Sequence, residues 1–155
     1  MESMVVQTAL GNFRVSCSER GITGLEFTSK HPAKTAKHPI ANELSRYAAG
    51  ENVRWSMPLN LLTGTEFQRK VWGVLRQIPY GETRSYAWVA RRIGKPKAAR
   101  AVGAACGANP IPVIIPCHRV IASDGSLGGF TSGLAWKRKL LNLEKQIHGG
   151  EVYDS

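Results

Sequence analysis

The chain has 155 residues, 43% of them hydrophobic and 21% charged, the make-up of an ordinary globular protein long enough to bury a core without staples. The opening MESMVVQTAL lacks the basic start and long apolar run of an export signal, and no stretch approaches the roughly eighteen apolar residues of a membrane span. The formal net charge of +10 is unevenly spread: residues 1–60 carry 7 Lys/Arg against 5 Asp/Glu, and residues 61–155 carry 14 against 6.

The first third reads as short strands. MVVQTA, NFRVSCS and ITGLEFT are rich in β-branched and aromatic residues, and turn signals at Gly11-Asn12 and Glu19-Arg20-Gly21 separate them. A meander of three antiparallel strands is expected. A polar connection from Lys30 to Pro39 follows, then a short helix from Ile40 to Ala49, ended by Gly50.

Beyond residue 60, Thr65-Glu66-Phe67-Gln68 has the form of a capping box. It opens a helix whose apolar residues Phe67, Val71, Val74, Leu75 and Ile78 recur at helical spacing, and Pro79-Tyr80-Gly81 stops it. Ser85 can cap a second helix with Tyr86, Val89, Ala90 and Ile93 on one face. After a turn of Gly94-Lys95-Pro96, a third helix is expected from Lys97 to Cys106, halted by Gly107. Two short helices joined by a Gly-containing turn make a helix-turn-helix candidate. Next comes an apolar, strand-like run from Ile111 to Ile115, then Pro116-Cys117-His118-Arg119. A Gly/Ser-rich loop from Ser123 to Gly133 precedes a last basic helix, Leu134 to Gln146.

The third helix carries Arg100 next to Ala99, with Gly103 one turn on, so a long cation projects from a bare surface. Such a surface lets backbone approach a groove, where the Arg can enter the duplex or meet phosphate. The plainer alternative is tight helix packing with a solvated Arg100. The charge excess after residue 60 fits a nucleic-acid footprint, and equally a generic basic surface.

Cys17, Cys106 and Cys117 are odd in number and widely spaced, which argues against a disulfide framework or zinc knuckle and suits a reducing cytoplasm. Cys117 stands apart. Pro116 restricts the backbone before it, and His118 and Arg119 follow, where positive charge or a positioned base favours thiolate. Most lone cysteines are buried packing residues. A Cys–His pair needs a third group to orient the imidazole, and Glu144 is a candidate, with the alternative that it is a surface carboxylate beside Lys139 and Lys145.

Ile115-Pro116-Cys117-His118-Arg119-Val120 resembles the active-site signature of the O6-alkylguanine-DNA alkyltransferases, also called methylated-DNA–protein-cysteine methyltransferases. Ser85-Tyr86, the run Ala98-Ala99-Arg100-Ala101-Val102-Gly103, and Asn109-Pro110 match at consistent spacing. The likeness is specific over residues 63–146 and loose over residues 1–60.

The resemblance implies an α+β protein: residues 1–60 form a small antiparallel-sheet domain of ribonuclease-H-like form, and residues 61–155 a winged-helix-like domain with the helix-turn-helix and nucleophile. Cys117 would accept the alkyl group of O6-alkylguanine from double-stranded DNA. His118 would be its base through a water, with Glu144 orienting the ring. Tyr86 would donate to the departing guanine, and Asn109 would tie the helix-turn-helix to the active-site strand. The main chain at Cys117 and Val120, with Ser123, Thr131 and Ser132 on the following loop, would line the base pocket. Arg100 would fill the gap left by a flipped nucleotide, with Ala98, Ala99 and Gly103 along the minor groove. Transfer would be irreversible and single-turnover, with no cofactor, because the thioether product has no hydrolytic route back. The protein would be cytoplasmic, away from membranes, and a monomer that can cluster on DNA.

Two positions depart from the family pattern, Ser132, where Gly is common, and Phe130, where Tyr is frequent, and both bear on the acceptance of bulky alkyl groups. Some members hold zinc in the N-terminal domain; with only Cys17 available there, none is expected here. Two rivals remain: a turning-over cysteine hydrolase built on Cys117 and His118, and a non-enzymatic DNA-binding regulator with a structural Cys117.

Overall fold

The computed structural model describes residues 2–32, 37–128 and 133–148 and divides into two compact units, Met1–Leu62 and Thr63–Ser155. The architecture is α+β.

In the first unit β1 (Glu2–Thr8), β2 (Gly11–Ser18) and β3 (Gly21–Thr28) form an antiparallel sheet in that order. Alternation places Phe13, Val15 and Cys17 of β2 on the buried face with Val6 and Leu25 of its neighbours. The two hairpins share one construction. The hydroxyls of Thr8 and Ser18 donate to the carbonyls of Gly11 and Gly21 and accept the N–H groups of Leu10 and Arg20. Gly11 and Gly21 then open the next strand at φ 139° and 140°, a region that favours glycine. The first reversal therefore falls on Ala9-Leu10 and not on Gly11-Asn12, since Asn12 is already paired with Gln7.

α1 (Pro39–Ala48) starts one residue earlier than expected. His38 supplies the cap, its Nδ1 accepting from Ile40 N–H at 3.2 Å, and Pro39 sits in the first turn, where a missing N–H costs nothing. The helix buries Ile40, Leu44, Tyr47 and Ala48.

The second unit opens with α2 (Glu66–Leu75), whose reciprocal Thr65–Gln68 capping box forms as expected. Short β4 (Arg84–Ser85) leads directly into α3 (Tyr86–Arg92), capped by the Ser85 hydroxyl. α4 (Ala99–Gly107) starts two residues later than expected, and Gly107 belongs to it rather than halting it. The connection is accordingly longer than Gly94-Lys95-Pro96. α3 ends in a Schellman turn, with Lys95 N–H on the Ala90 carbonyl, Gly94 N–H on that of Arg91, and Gly94 at φ 81°. Pro96 then pushes Lys95 out of the helical region, so the next helix begins beyond it.

The run Ile111–Ile115 is not a strand. It is a buried turn closed by Ile115 N–H on the Ile111 carbonyl, with Val113 in the left-handed region at φ 76°. Its apolar character reports burial, which a turn shares with a strand. A 3₁₀ turn (Cys117–Arg119) follows, and then β5 (Val120–Ile121), parallel to β4 in a two-stranded pairing that the sequence pattern did not signal. α5 (Leu134–His148) closes the unit, running past Gln146.

Candidate active site

Cys117 is held by its own turn. Its N–H donates to the Ile115 carbonyl at 2.7 Å, and Arg119 N–H donates to that of Pro116 at 2.9 Å. Asn109 braces the turn before it: the side-chain amide donates to the Ile115 carbonyl at 2.8 Å, and its oxygen accepts from Ile111 N–H at 2.9 Å. Asn109 thus ties the end of α4 to a turn, not to a strand.

The thiol lies on the floor of a cleft of about 750 Å³. Tyr86 and Ala87 of α3, Ala99, Arg100, Gly103 and Cys106 of α4, and Ser123 line it. Arg100 is exposed near the start of α4, and the Tyr86 ring lies beside Gly103, where a Cβ would stand at an ordinary contact distance of 3.8 Å. Ala98 caps α4 outside the lining residues. Thr131, Ser132 and Phe130 lie outside the described residues.

Charge at the thiol differs from expectation. Cys117 is only 4% exposed, and burial pushes it up to about 11 against the opposing pull of Asn109 and Lys137. The thiol is therefore protonated at rest; its neighbours do not make it a standing thiolate. Arg119 cannot serve that purpose, because it is committed elsewhere, and burial holds His118 below its ordinary value and so neutral.

Glu144 is the hub. It is 1% exposed, not a surface carboxylate, and four donors converge on it. Oε2 meets His118 Nε2 at 2.6 Å and Arg119 Nη2 at 3.1 Å; Oε1 meets Arg119 Nε at 2.9 Å and Gly81 N–H at 3.1 Å. His118 and Arg119 hold its carboxyl well below the usual range despite burial, so it is ionised. A carboxylate only accepts, so the imidazole proton sits on Nε2 and the Nδ1 lone pair is bare. Among the described residues that buried Nδ1 has no hydrogen-bond partner. A fully buried, unpaired ring nitrogen is free to accept a proton.

Lys137 escaped the sequence reading. It is 0% exposed on the inner face of α5, its Nζ donating to the Val120 carbonyl at 2.7 Å, to the Leu127 carbonyl, and to the Tyr86 hydroxyl at 3.5 Å. Burial lowers it to about 8. One ammonium thus joins β5, the loop after it and the cleft tyrosine. The main chain at Val120, expected to line the base pocket, serves this lysine through its carbonyl. Tyr86 is raised to about 12, chiefly by burial, and so remains an O–H donor at neutral pH.

A buried thiol, an oriented neutral imidazole and a cleft lined by two short helices make a site where a cysteine can act as a nucleophile. Comparison with known proteins makes this specific. The family profile described as "6-O-methylguanine DNA methyltransferase, DNA binding domain" matches residues 66–146. A methylated-DNA–protein-cysteine methyltransferase of Mycolicibacterium paratuberculosis is 41% identical, covering 94% of this chain and 93% of its own. One from Methanosarcina barkeri is 42% identical over 91% of this chain and 95% of its own. The crystal structure of Mycobacterium tuberculosis OGT in complex with DNA superposes with a TM-score of 0.83 at 39% identity, covering 94% of both chains. The chain belongs to the 6-O-methylguanine DNA methyltransferase family.

Proposed function

We propose that this protein repairs alkylated duplex DNA by taking the alkyl group from O6 of a guanine onto Cys117 Sγ, once and irreversibly. The observation that carries this reading is the Cys117 thiol on the floor of an open cleft, next to a buried imidazole whose Nδ1 is unpaired. Its relatives are named for transfer from methylated DNA to a protein cysteine, and one of them has been crystallised with DNA.

The steps follow from the charges. With the thiol near 11, roughly one molecule in ten thousand is a thiolate at pH 7. A base is therefore needed, and His118 Nδ1 takes the proton through a bridging water while Glu144 keeps the ring in the correct tautomer. The sulfur attacks the alkyl carbon as the C–O6 bond breaks. The Tyr86 hydroxyl donates a hydrogen bond to the departing guanine, and Lys137 holds that hydroxyl in place. The target is stacked inside duplex, so the nucleotide is flipped into the cleft while Arg100 fills its place, with Ala98, Ala99 and Gly103 along the minor groove. Main chain at Cys117 and Val120, with Ser123, Thr131 and Ser132, contacts the base. The two units take ribonuclease-H-like and winged-helix-like forms, and the protein works in the cytoplasm as a monomer that can cluster on DNA.

Intact-mass spectrometry after mixing with duplex containing O6-methylguanine tests the reading. The expected outcome is a gain of one methyl on the peptide holding Cys117, in a one-to-one ratio, and no gain in Cys117→Ser, which still binds the duplex. A methyl retained by Cys117→Ser, or turnover beyond one equivalent, would refute it.

A further inference from the structure

Arg119 belongs to no step above, yet its guanidinium is almost wholly occupied inside the site. Nε and Nη2 grip both oxygens of Glu144 at 2.9 and 3.1 Å, and Nη1 donates to the Ile78 carbonyl at 2.8 Å. Its plane also lies over the Tyr80 ring, 5.7 Å from the centroid. Residues from three segments therefore meet on one carboxylate: the 3₁₀ turn, α5 and the chain after α2.

Among the described residues, the charged groups acting on His118 are Glu144 and Lys137 from α5 and Arg119 from its own turn. The neutral Tyr80 phenol packs behind Arg119. A buried carboxylate 2.6 Å from an imidazole favours the imidazolium form, because the resulting pair is neutral overall. With a bidentate guanidinium on that carboxylate, the pair is already neutral. A second positive charge on the ring would then be uncompensated in a dry site.

We propose that Arg119 is a positioning residue for the transfer: its fork fixes Glu144, and its charge offsets the carboxylate's pull on His118, so that the buried ring stays neutral and Nδ1 can accept the thiol proton. An imidazolium carries a hydrogen on Nδ1 and can accept nothing, so without this charge the base form would be lost at a higher pH than with it. The proposal rests on the reading of Cys117 as acceptor and His118 as base.

The test is single-turnover methyl transfer from O6-methylguanine duplex at saturating DNA, from about pH 5.5 to about pH 9, with His118 followed by ring ¹⁵N NMR across the same range. Removing the cation raises the proton affinity of His118, so the base form is lost at higher pH than in the wild type. In Arg119→Met the acid limb of the rate should move up by about one unit or more, a rate loss of about tenfold at slightly acid pH that recovers by about pH 9. Arg119→Lys, which keeps the charge but not the fork, should keep the wild-type limb at a lower plateau. If Arg119→Met does not fold, Arg119→Gln, which keeps a donor to Glu144 without the charge, carries the same expected shift. A uniform loss at every pH, or a His118 titration that is the same with and without the cation, would overturn the proposal. A wild type whose Cys117 gains no methyl would instead overturn the functional reading, and the NMR titration would still decide the charge question by itself.

Discussion

Gly128 shows how closely the cleft is fitted around Tyr86. A Cβ at this position would stand 2.7 Å from the tyrosine oxygen and 3.0 Å from the ring, and the backbone sits at φ 71°. Gly128→Ala should therefore displace the hydroxyl, and the second-order rate of methyl transfer should fall by about tenfold or more, as expected for a misplaced catalytic contact. Gly125 makes the control. It too is left-handed, at φ 89°, but nothing lies within 4 Å of its missing Cβ. Gly125→Ala should cost about 1 kcal/mol of stability by urea titration and leave the transfer rate alone. Wild-type rates in Gly128→Ala would show that the hydroxyl does not need its present place. At this scale the sequence disclosed the groups that sit in a motif, Cys117, His118 and Tyr86. It hid Lys137 and the use of Arg119, because a lysine in a basic helix looks like any solvated cation until the fold shows which face is buried.

Trp72 links helices rather than atoms of the site. Its indole N–H donates to the Ala105 carbonyl at 2.8 Å, within a contact where both residues are buried. That bond fixes α4, and with it Arg100 and Gly103, against α2. Trp72→Phe keeps most of the apolar area but removes one of two donors to a buried carbonyl, leaving the Ala108 N–H at 3.2 Å, so unfolding free energy should drop by about 1 kcal/mol in urea. A loss within error would mean that the Ala108 N–H alone satisfies the carbonyl. Elements with strong local signals were legible in the same helices: the Thr65–Gln68 box, the Ser85 cap and the period-two alternation of β2. The run from Ile111 to Ile115 was not, because hydrophobicity marks the inside without saying which backbone shape lies there. The parallel β4–β5 pair was equally silent: each strand is two residues long and distant from its partner in sequence, so neither shows a period. Helix ends moved wherever proline or a Schellman turn outweighed apolar spacing, as at Lys97.

Across the whole chain the charge is segregated more sharply than a count by halves reveals. From Thr83 to Ser123 there is no acidic residue, and this run contains both cleft-lining helices. Arg91, Arg92, Lys95, Lys97 and Arg100 are all exposed within it. Binding to lesion-free duplex should therefore weaken linearly in log K against log salt, and each of these residues that meets phosphate should lower the slope by about one when neutralised. A slope near zero would remove the electrostatic basis for DNA binding. The fold then places two buried ions of opposite sign, Lys137 and Glu144, on one helix, both facing inward seven residues apart. In a helix that separation is two turns, with Leu140 and Leu141 buried between them. α5 therefore works like a key with two teeth. Exchanging residues on its outer side leaves the teeth aligned, whereas deleting a single residue between them would swing one tooth by about 100° and unseat either the tyrosine's lysine or the histidine's carboxylate. Length, more than composition, is what this helix can least afford to change.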